Sequence, residues 1–150
     1  MTANSRTTTY TGLAQSVSGF TATGLVNNET EAVLTGVSTS GGAGTNAGNY
    51  THTASGTDGN YNLTFVDGAL AIQRANATVR GNSATGTYSG LAQSVSGFTV
   101  TGLVNNETDS VLTGVSASGA TRTHVGTTAN VVTGSATNGN YNLSFYPGNR

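Results

Sequence analysis

The chain lacks several residues on which common chemistry depends. Its 150 residues include no cysteine, no lysine and no tryptophan, with one proline and one methionine. Without cysteine there are no disulfides, no thiol nucleophile and no thiolate metal site. Without lysine no internal Lys-based isopeptide cross-link can form. Charge is equally sparse: 7% of residues are charged, against about 25% in ordinary soluble domains. The net charge is −1, and the five arginines form no cluster. Nucleic acid and anionic membranes are therefore not expected partners, since both are gripped by basic patches. No apolar run approaches the roughly 18 residues of a spanning helix, so no membrane insertion is expected. The opening MTANSRTTTY has no apolar core of the signal-peptide kind. Met1 reads as an expression start set on a piece of a longer chain.

What is present is Thr, Ser, Gly and Asn, with apolar residues at spaced, alternating positions, and one long internal repeat. Tyr10 to Ser38 reads YTGLAQSVSGFTATGLVNNETEAVLTGVS, and Tyr88 to Ser116 reads YSGLAQSVSGFTVTGLVNNETDSVLTGVS. Only four of these 29 positions differ, namely Thr11/Ser89, Ala22/Val100, Glu31/Asp109 and Ala32/Ser110. The 78-residue spacing of Tyr10 and Tyr88 is too long for a solenoid turn and fits a small domain. Near-identical copies suit a protein whose role scales with copy number better than one with a unique active site.

The first copy reads mostly as strand. Thr7 to Thr11 is β-branched and aromatic. Val17 to Thr23 places Phe20 and Ala22 on one face. Asn28-Glu29-Thr30-Glu31 reads as a capping box, with Asn28 as cap and Glu31 reaching back to it. Gly36 would end a helix of one or two turns, and Asn106 to Gly114 repeats the signal. Thr35 to Thr39 is expected as a strand and Gly41 to Gly44 as a loop. Asn49 to Ser55 turns Tyr50, His52 and Ala54 inward. Asp58-Gly59-Asn60 is a turn, and Tyr61, Leu63 and Phe65 form the clearest inward stripe. Asp67-Gly68 is expected to join Val66 to Ala69 as a two-residue hairpin, with Leu70 and Ile72 closing the unit. Gln73 to Gly86 is a proline-free connector that also carries the first strand of the next unit, around Ala77 to Arg80 or Gly86 to Ser89. The resulting core is thin for domains of this size.

The second copy departs in two places. Between Ser116 and Asn138 it gains two residues, and the simplest alignment sets Tyr50 against Val131. The sequence differences concentrate in Ala117 to Thr137. At the end, Phe145-Tyr146-Pro147-Gly148 replaces Phe65-Val66-Asp67-Gly68, and no residues follow Arg150. The second repeat is expected to lack its final strand and leave an open edge. Either the piece ends inside the repeat or another chain fills the gap.

These residues carry a resemblance. TYTGLAQSVSGFTATGLVNNETEAVLTGVS, followed by GTNAGNYTHTASGTDGNYNLTFVDGALAI, resembles the MBG/YDG-type repeats of large bacterial adhesins, including filamentous-haemagglutinin-like proteins of the two-partner secretion route. The first repeat matches throughout. The second matches to Ser116 and again at Asn140-Tyr141-Asn142-Leu143, and lacks the final x-G-x-L-x-I. The resemblance implies an extracellular array domain at the bacterial cell surface, non-catalytic and without cofactor, whose partners are neighbouring repeats. A host or surface glycan or protein is a further partner, and strand pairing through the open edge of repeat two is another. The absence of cysteine fits such surface repeats and gives no argument for the cytosol.

Each candidate site has a plainer reading. His52 lies on an inward strand face and His124 in a loop, and neither has a second ligand at metal spacing. Asp58 with Asn60 offers too few carboxylates for calcium and becomes Asn138 in the second copy, which turn chemistry explains. Glu29 with Glu31, and Glu107 with Asp109, are carboxylate pairs whose helix-cap position accounts for them without glycosidase chemistry. No nucleophile, base and orienting acid come together. A Thr–Gln ester through Gln15 or Gln93 stays open. Sequons at Asn28, Asn62, Asn76, Asn106 and Asn142 are expected by chance in so Asn- and Thr-rich a chain. Thr21/Thr23, Thr51/Thr53 and Thr99/Thr101 read as solvent-face threonines of strands rather than a water-ordering ridge. No residue is therefore assigned a catalytic, cofactor or metal role. The expectation is a mainly β chain of two tandem β-rich domains, residues 1–74 and 75–150, each with one short helix. Either β-grasp-like or immunoglobulin-like sandwich topology fits.

Overall fold

The computed structural model describes all 150 residues, Met1–Arg150. The chain is mainly β and falls into two compact units, Met1–Gln73 and Arg74–Arg150. In the first unit a four-stranded sheet runs in the order Arg6–Thr9, Gly68–Gln73, Gly48–Gly56, Val37–Gly41. The first pair is parallel and the other two are antiparallel. Gly48–Gly56 buries His52 and Ala54 on one face, the alternation expected from its sequence. Gly68–Gln73 buries Leu70 and Ile72 in the same way.

The second unit builds its four-stranded sheet from a different part of the repeat. The order is Phe98–Thr101, Ala75–Gly81, Tyr141–Tyr146, Thr137–Asn138. Ala75–Gly81 is antiparallel to Phe98–Thr101 and parallel to Tyr141–Tyr146. Its inward residues Ala75, Ala77 and Val79 join Tyr141 and Leu143 in the core. Val132–Thr133, from a second small ladder, packs on both of these strands.

The connector is shorter than its sequence suggests. Gly68–Gln73 ends and Ala75–Gly81 begins with only Arg74 between them. One stretch thus supplies a central strand to a sheet of each unit. Within the second unit the Arg74 Nε donates to the Gly139 carbonyl at 3.1 Å.

Several expectations need correction. Neither unit has the short helix. Each has a single 3₁₀ turn, Glu31–Val33 or Asp109–Val111, with no buried residue and no side-chain cap. Asn28 cannot be the cap because it adopts φ 56°, as does Asn27. With the Glu29 N–H bonded to the Val26 carbonyl at 3.0 Å, residues 26–29 form a type I′ turn, a conformation Asn tolerates better than most residues. A helix between two strand groups would favour a β-grasp arrangement, and neither unit has one. The Val17 to Thr23 strand is broken at Gly19, φ 81°, which leaves only Phe20–Thr21, and Gln15–Ser16 forms a separate two-residue strand before it.

Asp67-Gly68 is not a hairpin. Gly68–Gln73 pairs with strands distant in sequence, and Val66 bridges to Thr2 instead. A Cβ on Gly68 would lie 2.3 Å from the Ala3 carbonyl oxygen. The glycine therefore serves close backbone approach where the chain crosses between ladders. Gly148 does the same, 2.3 Å from the Gly81 oxygen.

Tyr61 to Phe65, the expected inward stripe, is only half-buried on its inward side and carries no ladder beyond the bridge at Tyr61. Its copy Tyr141–Tyr146 is a full strand because Ala75–Arg80 lies beside it. In the first unit, Met1–Ala3 stand where Val79–Gly81 stand in the second. Finally, the register corrects the alignment of the copies. Thr39 pairs with Ala54 and Ala117 with Val132, so His52 matches Asn130 and Tyr50 matches Thr128. The two extra residues fall after Thr133.

Candidate functional site

The residues with chemical potential serve the scaffold. His52 is 1% exposed and its Nδ1 lies 2.7 Å from the Asn4 carbonyl. A carbonyl only accepts, so Nδ1 carries the proton. Asn130 is 0% exposed and donates through Nδ2 to the matching Asn82 carbonyl at 3.1 Å. It also donates to the Gly97 carbonyl at 3.0 Å and accepts from the Gly119 N–H at 2.9 Å. His52 and Asn130 are thus two solutions to one problem, a buried carbonyl that needs a donor. Sequence comparison missed this because the extra residues shifted the alignment.

The carboxylates expected at helix caps are bound differently. Tyr61 Oη donates to Glu29 Oε1 and accepts from the Val26 N–H at 3.2 Å. Tyr141 makes the same pair of bonds with Glu107 and with the Val104 N–H, the latter at 3.1 Å. The two halves of the motif, Asn-Asn-Glu-Thr and Asn-Tyr, are therefore one clasp closing each type I′ turn. Hydrogen bonding to Glu29 raises the Tyr61 pKa above 10.0. Glu31 accepts from the Ala22 N–H at 3.2 Å. Its pKa lies below 4.5, held down first by its own backbone N–H and then by that of Ala22.

Other candidates make local contacts or lie exposed. The Asn60 N–H bonds to Asp58 Oδ2 at 3.0 Å, an Asx turn. Gln15 spends its amide on the Thr9 carbonyl at 3.0 Å and Thr11 Oγ1 at 3.5 Å, and Gln93 repeats this with Thr87 and Ser89. Asn28 and Asn106 are exposed at turn tips, and Asn62, Asn76 and Asn142 are also exposed. No group of three or more His, Asp and Glu side chains is placed to hold a metal ion.

The second unit also has a cleft of about 230 Å³. His124, in the loop that departs most from the first copy, lines it with Arg122 and Tyr88. No carboxylate lines it, and the Arg122 Nε is buried without a hydrogen-bond partner.

Residues 1–71 match the MBG domain family, YGX type. The first repeat is an MBG domain. The match ends within Gly68–Gln73, so the family unit closes with the strand that closes the first compact unit. No curated protein and no solved structure matches the chain. The second unit repeats the first unit's clasp, its Asn-Asn turn and its crossover glycine.

Proposed function

We propose that the chain is a non-catalytic structural repeat of a bacterial surface adhesin, a stalk segment that sets the adhesive region away from the cell. The MBG match places the first repeat in a repeat-domain family. One observation carries the step from family to role. The features duplicated between the units are scaffold features: the Tyr–Glu clasp, the Asn-Asn turn and the buried donor to Asn4 or Asn82. The duplicated carboxylates Glu29 and Glu107 are spent on that clasp, while His52 becomes Asn130, another donor to the same carbonyl, and Asp58 becomes Asn138. A spacer needs its scaffold in every copy and needs no active site in any. In this reading the chain is no enzyme, uses no cofactor, works outside the cell and meets chiefly its neighbouring repeats.

Chains of one, two and four repeats test this by small-angle scattering. The maximum dimension is expected to rise by a constant increment per repeat, without dependence on concentration. A dimension that does not grow with copy number would remove the spacer role.

A second reading, a glycan- or protein-binding module, is favoured by one feature of the second unit. Arg80 lies 4.7 Å from the Tyr146 ring centroid on a face where Asn76 and Asn142 are also exposed. Aromatic rings beside amides suit sugar recognition, and the first copy has Val66 instead of Tyr146. Saturable glycan binding that is lost in Tyr146→Ala would favour this reading over the spacer.

A further inference from the structure

Arg80 is the one arginine of five whose guanidinium makes no hydrogen bond. Arg6 donates to the Ser16 carbonyl at 3.2 Å, Arg74 to that of Gly139, Arg122 to Thr128 and Val125, and Arg150 to Gln93. Arg80 is exposed, has no carboxylate partner and lies over the Tyr146 ring, 4.7 Å from its centroid. The two residues stand directly opposite each other on neighbouring parallel strands. Alternation turns both outward, because Ala77 and Val79 on one strand and Tyr141 and Leu143 on the other are buried. A guanidinium within about 6 Å of a ring centroid is attracted by the ring's quadrupole. The fork is thus oriented while its N–H groups stay unspent.

The surroundings of this fork suit an anion with hydroxyl groups. No Asp or Glu occurs in residues 75–81 or 141–146. Beside Arg80 and Tyr146 on the same face, Thr78 stands opposite Ser144 and Asn76 opposite Asn142. Asn76, Asn142 and Ser144 are exposed and Thr78 is half-buried. Their side chains make no hydrogen bond within the chain. Asn142 to Tyr146 covers about 13 Å of strand, room for more than one sugar ring. The first unit has Val66 at the position of Tyr146 and so no ring there.

We propose, resting on the glycan-binding reading of this face, that Arg80 and Tyr146 anchor a site for a carboxylate-bearing saccharide of the uronic acid class. The planar guanidinium takes the sugar carboxylate through two parallel N–H bonds. Tyr146, 47% exposed, offers its ring to the apolar C–H face of the sugar. Thr78, Ser144 and Asn142 supply donors and acceptors for the sugar hydroxyls. An acidic peptide fits less well. Ala75–Gly81 lies between two paired strands, so it has no free edge for an extended peptide to join. The outward neighbours are amides and hydroxyls, which give apolar peptide side chains nothing to bury against.

The test titrates the isotope-labelled 150-residue chain with tetragalacturonate and, separately, with the same oligosaccharide fully methyl-esterified, following amide shifts. Saturable shifts at Thr78 to Arg80 and at Ser144 to Tyr146 are expected with the acid. The ester should bind about tenfold or more weakly, as should the acid to an Arg80→Gln chain, the worth of hydrogen bonds to a charge. Sodium acetate at matched carboxylate concentration should give no saturable shift at these amides. Equal binding of acid and ester, or undiminished binding by Arg80→Gln, would overturn the acidic-sugar site. If that binding were still lost in Tyr146→Ala, the glycan reading would stand without it. Saturation by acetate, or by a Glu-Gly-Glu peptide as tightly as by the acid, would also overturn the site, since the fork would then bind charge without a sugar. No binding of either saccharide would overturn both the site and the glycan reading.

Discussion

Buried polar side chains divide the two copies most sharply. His52 and Asn130 sit at one structural position, and both donate to a backbone carbonyl, of Asn4 or Asn82. The position requires a donor of suitable reach, not an imidazole. His52→Asn is therefore expected to cost under about 1 kcal/mol, whereas His52→Leu strands the Asn4 carbonyl and costs about 1–3 kcal/mol. Urea unfolding of the two variants checks this, and a costly His52→Asn with a neutral His52→Leu would contradict it. Ionisation gives a second test at this scale. The Glu31 pKa is lowered in the folded chain, so its carboxylate stabilises the fold above the unfolded glutamate pKa. That contribution disappears as pH falls through the lowered folded value. Tyr61 runs the other way. Its pKa is raised, so the neutral phenol's contribution is complete below the unfolded tyrosine pKa and is lost as pH rises through the folded value. NMR titration should place the Glu31 midpoint below that of an unfolded control peptide and the Tyr61 midpoint above it. Tyr61→Phe should remove the first unit's share of the alkaline component of the stability profile.

Turns and crossovers show where sequence reading succeeds and where it stops. Strands with strict alternation were legible: Gly48–Gly56 buries His52 and Ala54 because a strand turns successive side chains to opposite faces. The turn at Asp58-Gly59-Asn60 was legible because its chemistry is local. The helix was misread because Asn28-x-x-Glu31 fits a capping box, while Asn27-Asn28 also fits a type I′ turn whose next residue, Glu29, is held by a distant tyrosine. Only the fold brings Tyr61 to Glu29, 32 residues away. Asp67-Gly68 was misread for a related reason. A glycine needed for close approach to Ala3 looks in sequence like a glycine needed for a hairpin. The candidate cleft was still less legible, because the residues that line it, among them Tyr88 and His124, lie far apart in sequence and carry no shared local signal. Two substitutions separate the alternatives. Asn28→Val forces a β-branched residue into φ 56° and should cost about 1–3 kcal/mol, while Asn28→Gly should be tolerated. Asn28→Thr separates this turn from a capping helix, since threonine is a favoured cap but, being β-branched, is strained at φ 56°. Gly68→Ala sets a methyl against the Ala3 carbonyl and should destabilise the first unit. An Asp-Gly hairpin in a type I′ turn would also suffer, so the decisive readout is hydrogen exchange at Ala3 and Asn4, which only the crossover geometry exposes.

At the scale of the whole chain, duplication determines how stability is distributed. Each unit has its own buried set, with Leu70 and Ile72 in the first and Val79, Tyr141 and Leu143 in the second. Both sets draw on the stretch from Gly68 to Gly81, which gives its first part to one sheet and its second part to the other. Arg74 alone stands between them, so a single substitution on either side of it should act on one sheet. Leu70 is 0% exposed, and Leu70→Ala removes three carbon atoms from a packed interior. That change should cost about 2–5 kcal/mol, with the protection loss concentrated in residues 1–73. Val79 is also 0% exposed, and Val79→Ala should concentrate its loss in residues 74–150 at a smaller cost, having fewer carbons to lose. Hydrogen exchange measured by mass spectrometry on both variants resolves the two units in one experiment. Losses confined to the mutated side would mean that each copy carries its own stability, which lets an array lengthen without weakening the copies already in it. Equal loss on both sides would mean that the shared stretch transmits unfolding from one sheet to the next. An array built that way would fail as a whole once one copy opened, and a spacer role would then need a stabilising partner along its length.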